Sequence, residues 1–175
     1  SENRYALSML YYAEKRILEF FTRRKDEKNR KIIATFDEYL IKKQETLGFE
    51  LSTEQKKAVE LINNGDKTLF LIGYAGTGKS TSSRAILELL EETMSYDDIM
   101  TIALSGIASQ RISDTTGYNS STIQSLLMKH KEKDFFPYKA ILLDEASMVN
   151  SVTFYQIISK IADDTIFIIV GDDGQ

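Results

Sequence analysis

Gly73-Tyr-Ala-Gly-Thr-Gly-Lys-Ser80 is the stretch whose residue types and spacing commit this chain to a chemistry. It satisfies G-x-x-x-x-G-K-[ST] at every fixed position. Glycines let the backbone curl until successive N–H groups point into one concavity, an anion nest at a helix N-terminus. In such a nest Lys79 sets a point charge against β- and γ-phosphates, and the Ser80 hydroxyl ligates Mg²⁺. An apolar run precedes the stretch and a helical pattern follows it. Gly73, Ala75, Gly76, Thr77, Gly78, Lys79, Ser80 and Thr81 together therefore indicate a nucleoside triphosphate site.

A second pair of residues fits the same chemistry. Ile141-Leu-Leu-Asp-Glu-Ala-Ser-Met148 places two acids at the end of an apolar run, which is costly unless a cation neutralises them. Asp144 suits the Mg²⁺ side through its water shell, and Glu145, pointing differently, suits polarising an attacking water. Leu51-Ser-Thr-Glu-Gln55 is softer: Ser52 and Gln55 fit an S-x-x-Q capping box, while a Gln there could also read an adenine edge. Spacing leaves both open. The chain closes on "TIFIIVGDDGQ", an apolar run emptying into a Gly-Asp turn.

Composition limits what can surround these groups. Cysteine is absent, which excludes disulfides, thiolate zinc sites and iron–sulfur clusters, and the single His130 cannot build a histidine metal site. Any metal must be a hard cation on oxygen ligands. With 42% hydrophobic and 27% charged residues, one Pro and nine Gly, the 175 residues suit one medium globular domain plus a small extra element. A net charge of -4 gives no global attraction to nucleic acid or membranes, though a local basic strip could still bind phosphates. Every apolar run is far shorter than a bilayer requires, so a soluble cytoplasmic protein is expected.

The elements that must hold the site fall into two parts. Residues 1–48 read as helical, with apolar stripes at Leu7, Leu10, Tyr11, Ile17, Leu18, Phe21 and at Ile32, Phe36, Tyr39, Leu40, Leu47, suggesting an antiparallel pair leaning on something larger. Between the stripes, Thr22–Lys31 carries six basic and two acidic residues and reads as a solvated connector. After Gly48 short apolar runs at 68–72, 99–104, 139–143 and 165–170 alternate with helical patterns at 79–93, 107–115, 122–131 and 148–161. That alternation predicts a parallel sheet buried on both faces, with ligands off the carboxyl ends of its strands.

In this order the residues resemble superfamily 1 DNA helicases, and within them the RecD-like branch that includes the exodeoxyribonuclease V alpha subunit. The resemblance runs from about Leu51 to Gln175, with a weaker echo in "YYAEKRI" at Tyr11–Ile17. "LSTEQKKAV" resembles the glutamine motif, "GYAGTGKST" the phosphate loop, "ALSGIASQRI" motif Ia and "STIQSLL" the segment after it. "LLDEASMV" resembles motif II and "VGDDGQ" the start of motif III. The implied fold is an α/β P-loop NTPase, a RecA-like parallel sheet flanked by helices over residues 49–175, truncated after the start of motif III. A small helical segment, 1–48, precedes it and, starting at Ser1 without a methionine, reads as the end of a larger N-terminal region.

The resemblance implies an ATP-driven motor that binds ATP, Mg²⁺ and single-stranded DNA and moves 5′ to 3′. By position Gln55 matches the adenine-reading residue, Ser105 and Gly106 the contact to DNA phosphates, and Thr122 another DNA-side position, although Thr122 is equally suited to cap the helix starting there. Gln175 matches a γ-phosphate sensor and Asp172 a polar support between nucleotide and DNA. Arg111 faces either DNA or solvent. Ile107 and Gln124 depart from the family's frequent Lys and His, which puts the DNA contacts in doubt but not hydrolysis. The charge-stabilising arginine is expected from a second RecA-like domain beyond Gln175, so this piece alone should bind nucleotide weakly and turn it over slowly. No residue pattern specifies a nuclease or repair partner. A clamp-loader-like or RNA-remodelling ATPase stays open, as does a non-catalytic nucleotide-sensing module, which intact Lys79, Ser80, Asp144 and Glu145 argue against.

Overall fold

A computed structural model of the chain describes residues 2–73 and 78–172, the last by its backbone only. Three helices come first: α1 (Glu2–Arg24), α2 (Phe36–Leu47) and α3 (Thr53–Asn63). Strand and helix then alternate through β1 (Thr68–Gly73), α4 (Lys79–Leu90), β2 (Ile99–Ala103), α5 (Gly106–Thr116), β3 (Ser120–Thr122), α6 (Ile123–Lys129), β4 (Ala140–Leu143), α7 (Ser151–Ile158) and β5 (Ile166–Asp172). The strands form one parallel sheet in the order β1-β5-β4-β2-β3. All carboxyl ends therefore lie along one edge, where crevices for ligands form in such sheets.

The apolar runs are near-continuous because both faces of the sheet are covered. Every residue of β2 and β4 is buried. Side chains alternate between faces with the two-residue period of a strand. Leu142, Ile168 and Val170 enter one core with Val59 and Ile62 of α3 and Ile86 and Leu90 of α4. Ile141, Phe167 and Ile169 enter the other with Phe20 of α1, Leu126 of α6 and Ile157 of α7.

Three expectations change. The first two helices do not form a pair: α1 packs against α7 on one face, while Phe36 and Leu40 of α2 join the core on the other. Two amphipathic stripes in sequence said that each helix needed a cover, not that each covered the other. Second, the pattern over 148–161 is broken. A 3₁₀ turn at Ala146–Met148 comes first, and Asn150 then caps α7, its side-chain oxygen accepting from the Thr153 backbone N–H at 2.8 Å. Third, β3 was missed. Its Ser-Ser-Thr sequence has no apolar signal, and it forms because an edge register against Thr101–Ala103 is available.

The charged connector also proves partly internal. Arg24 is 1% exposed and fastens the end of α1 to the amino ends of β1 and β5. It donates from Nε to Thr68 Oγ1 at 3.0 Å and from its two Nη atoms to the carbonyls of Lys67, Ala162, Asp163 and Thr165. Burial pulls its guanidinium below the usual arginine range, but an arginine stays charged in proteins. The chain beyond it lies against the turn after α3, where Asn29 N–H donates to Gly65 O at 2.7 Å. Gly65 has φ +103, and a Cβ there would stand 2.1 Å from the Asn29 carbonyl oxygen, so only glycine fits.

Candidate nucleotide site at the carboxyl edge

The site begins where β1 gives way to α4. Gly78 turns the chain at φ 81, and a Cβ on it would meet Gln55 Nε2 at 2.3 Å. Lys79, the first residue of α4, swings its Nζ across the strand ends and donates to the carbonyls of Gly73 and Gly171, both at 3.1 Å. A cation thus sits between the ends of two neighbouring parallel strands. Lys79, Ser80, Arg111, Thr116, Asp144 and Glu145 line one cavity of about 160 Å³. Four residues from two distant motifs, Lys79 and Ser80 from one and Asp144 and Glu145 from the other, are therefore brought together by folding.

Asp144 follows β4 directly, and its backbone N–H donates to Ile102 O at 2.9 Å. Burial pushes its carboxyl above the ordinary carboxylate range, opposed by a hydrogen bond from the Glu145 backbone and by the charges of Lys79 and Arg111. A half-buried acid in that setting is suited to a cation at its open side. Glu145 is the one described non-glycine residue with positive φ, at 52°. Such a conformation costs roughly 1–2 kcal/mol and is held by its surroundings. It turns the chain out of the strand, so Glu145 leaves in a different direction from Asp144. Its Oε1 lies 3.5 Å from Arg111 Nη1.

Gln55 takes two partners at once. Its Oε1 accepts from Ser52 N–H at 2.8 Å, Ser52 Oγ accepts from Gln55 N–H at 3.1 Å, and Gln55 Nε2 donates to Gly78 O at 3.2 Å. The capping box is present, and the same side chain reaches the phosphate-loop helix. Thr81 lies in a neighbouring cavity of about 180 Å³ that also includes Leu47, Phe49, Ser80 and Arg84.

On the adjoining part of the edge, Ser105 caps α5 with Oγ accepting from Ala108 N–H at 3.1 Å. Gly106 has open space where a Cβ would be, and Ile107 is 77% exposed. Thr122 caps α6, its Oγ1 accepting from Ser125 N–H at 3.1 Å. Ala75, Gly76, Thr77 and Gln175 lie outside the described residues, and so does the side chain of Asp172. Sequence reading missed the place of Arg111: a lone arginine within α5 carries no local signal that its helix faces Glu145.

Among the described residues no group of three or more His, Cys, Asp or Glu side chains could hold a metal. No described helix is long and apolar enough to cross a membrane.

The chain is similar to several known proteins. It is 28% identical over 145 residues to the ATP-dependent RecD2 DNA helicase of Deinococcus radiodurans, a match over 79% of this chain and 20% of that protein. The chain thus spans about one fifth of that relative's length. Its fold superposes on the UvsW helicase from bacteriophage T4 with a TM-score of 0.59 at 16% identity, covering 72% of this chain and 53% of that one. It superposes on Bacteroides Pif1 bound to ssDNA with a TM-score of 0.50 at 22% identity, over 70% of this chain and 32% of that one. The two superpositions bear out the RecA-like fold, and the sequence match bears out the resemblance to RecD-like helicases read from the motifs. Residues 50–175 match the AAA domain family, and with most of its length inside that match the chain belongs to it.

Proposed function

We propose that this chain is the nucleotide-binding motor part of an ATP-dependent DNA helicase or translocase that acts on single-stranded DNA in the cytoplasm, moving 5′ to 3′. The carrying observation is that Lys79, Ser80, Asp144 and Glu145 line one cavity at the carboxyl edge of a parallel sheet. The names of the relatives, an ATP-dependent DNA helicase and a protein bound to ssDNA, support the reading.

The residues divide the work by position. Lys79 exchanges the carbonyls of Gly73 and Gly171 for phosphate oxygens, a move that its flexible stem allows. Gln55, hydrogen-bonded to Gly78 at the start of α4, turns from that partner to read the base. Ser80 and Asp144 would supply oxygen donors suited to Mg²⁺, a metal that keeps waters and phosphate oxygens as its remaining ligands. When bound, Mg²⁺ supplies neutralisation of phosphate charge. Glu145 accepts a proton from the attacking water. Gln175 senses the γ-phosphate, Asp172 links that position to the DNA side, and Ser105, Gly106 and Thr122 offer helix N-termini to the DNA backbone. A second RecA-like domain of the full-length protein supplies the charge-stabilising arginine and the other wall of the DNA track.

Lys79→Ala in the full-length protein tests the reading. It should remove ssDNA-stimulated ATP hydrolysis by about 10³-fold or more while circular dichroism stays that of the folded protein. Hydrolysis at the wild-type rate in that variant would overturn the assignment.

A further inference from the structure

Arg111 is the charged group at the nucleotide cavity that no part of the proposed chemistry uses. Its Nη1 stands 3.5 Å from Glu145 Oε1, close enough for an ion pair and too far for a good hydrogen bond. The guanidinium side chain is 64% exposed, so packing does not explain where it sits. Its backbone is different. Around it on α5, Ala108, Ser109, Ile112 and Thr116 are buried, and the helix packs on β2, β3 and α4. Arg111 is therefore an exposed charged head on a helix whose other face is packed.

The same helix begins at Ser105 and Gly106, proposed to meet DNA phosphates, and Arg111 follows about one and a half turns later. Glu145 has its backbone held at φ 52 by the turn after β4, which leaves the side-chain partner to decide where the carboxylate points. The facing positive groups at the cavity are Lys79, engaged with strand-end carbonyls, and Arg111 itself. An ion pair between half-exposed groups is weak and easily remade. That is what a relay needs: a contact that a sub-ångström shift of α5 can tighten or release.

We infer that Arg111 is a positioning residue that couples DNA contact at the N-terminus of α5 to the orientation of the Glu145 carboxylate. The inference rests on the proposed helicase function. DNA bound at Ser105 and Gly106 shifts α5, and Arg111 carries the shift to the group that activates water.

The test is Arg111→Gln in the full-length protein, with ATP hydrolysis measured with and without an oligo-dT strand. The ratio of kcat with DNA to kcat without it should fall about five-fold or more, the low end of ordinary coupling between sites. KM for ATP should stay within about two-fold, since no nucleotide contact is lost. Oligo-dT affinity, read by fluorescence anisotropy, should also hold, and Arg111→Lys should recover part of the ratio because a point charge can still pair with Glu145. An unchanged ratio overturns the inference. So does a rise in KM at constant kcat, which would place Arg111 on the nucleotide, or a loss of oligo-dT affinity, which would place it on DNA. A wild-type protein without DNA-stimulated hydrolysis would sink the proposed function and this inference together, whereas stimulated wild type with an unaltered variant removes the inference alone.

Discussion

The Gln55 side-chain amide donates to the Gly78 carbonyl at 3.2 Å, while its oxygen accepts from Ser52 N–H at 2.8 Å. One side chain thus joins the N-terminus of α3 to the N-terminus of α4. The join explains why Gly78 must be glycine twice over: its φ of 81 disfavours a side chain, and a Cβ would fall 2.3 Å from Gln55 Nε2. The same residue thus caps one helix and braces the next.

Two substitutions at Gln55 separate its roles. Gln55→Ala removes both bonds and should lower unfolding stability by about 0.3–1.5 kcal/mol, the worth of a helix cap. Gln55→Glu keeps an S-x-x-E capping box but puts an acceptor where Gly78 O needs a donor. It should melt close to wild type yet bind a fluorescent ATP analogue with Mg²⁺ roughly 2- to 10-fold more weakly, as expected for one lost hydrogen bond. If Gln55→Glu binds the analogue like wild type, Gln55 is a cap and nothing more.

His130 should make stability fall on mild acidification. Its ring is 4% exposed, with Nε2 3.3 Å from Tyr138 Oη and no partner for Nδ1 among the described residues. Burial lowers its pKa, and the nearby charges of Lys133, Lys129 and Lys160 lower it further. Lys160 is fixed in place, donating to the carbonyls of His130, Lys131 and Lys133. The unfolded chain therefore holds the proton more tightly than the folded one. Stability is complete above the unfolded value of about 6.5 and is lost as pH falls from there toward the depressed folded value. Guanidinium unfolding at several pH values should show the slope in wild type and a flatter one in His130→Leu. Equal slopes would mean the ring titrates alike folded and unfolded.

How far the site was legible follows from which signals are local. The phosphate loop and the Asp144-Glu145 pair are short motifs at strand ends, and a parallel sheet brings strand ends together without further instruction. The buried strands were legible because two covered faces demand unbroken apolar runs. β3 escaped since Ser120, Ser121 and Thr122 owe their extended form to Thr101–Ala103 alone. Arg24 escaped for a related reason. A charged residue in a charged run reads as solvated, and only the tertiary fold supplies the five acceptors that make its burial tolerable. The partners of Arg111 and the split of α1 and α2 between two sheet faces are likewise relations between distant segments, which spacing cannot carry.

Ile107 offers a gain-of-binding test of the DNA edge. It sits in the first turn of α5 with 77% of its surface exposed, beside Ser105 and Gly106, and contributes no core packing that a longer polar side chain would disturb. Ile107→Lys places a cation at the position where the resemblance in the motifs leads one to expect a lysine. A lysine in a first helical turn opposes the helix dipole and should cost about 0.3–1 kcal/mol of stability. Against that small loss, one added phosphate contact should strengthen binding to oligo-dT and steepen the plot of log affinity against log salt by about 0.7. Fluorescence anisotropy over a salt series reads both quantities. An unchanged slope would mean that the DNA backbone does not pass the N-terminus of α5, and the assignment of Ser105 and Gly106 as phosphate contacts would fall with it.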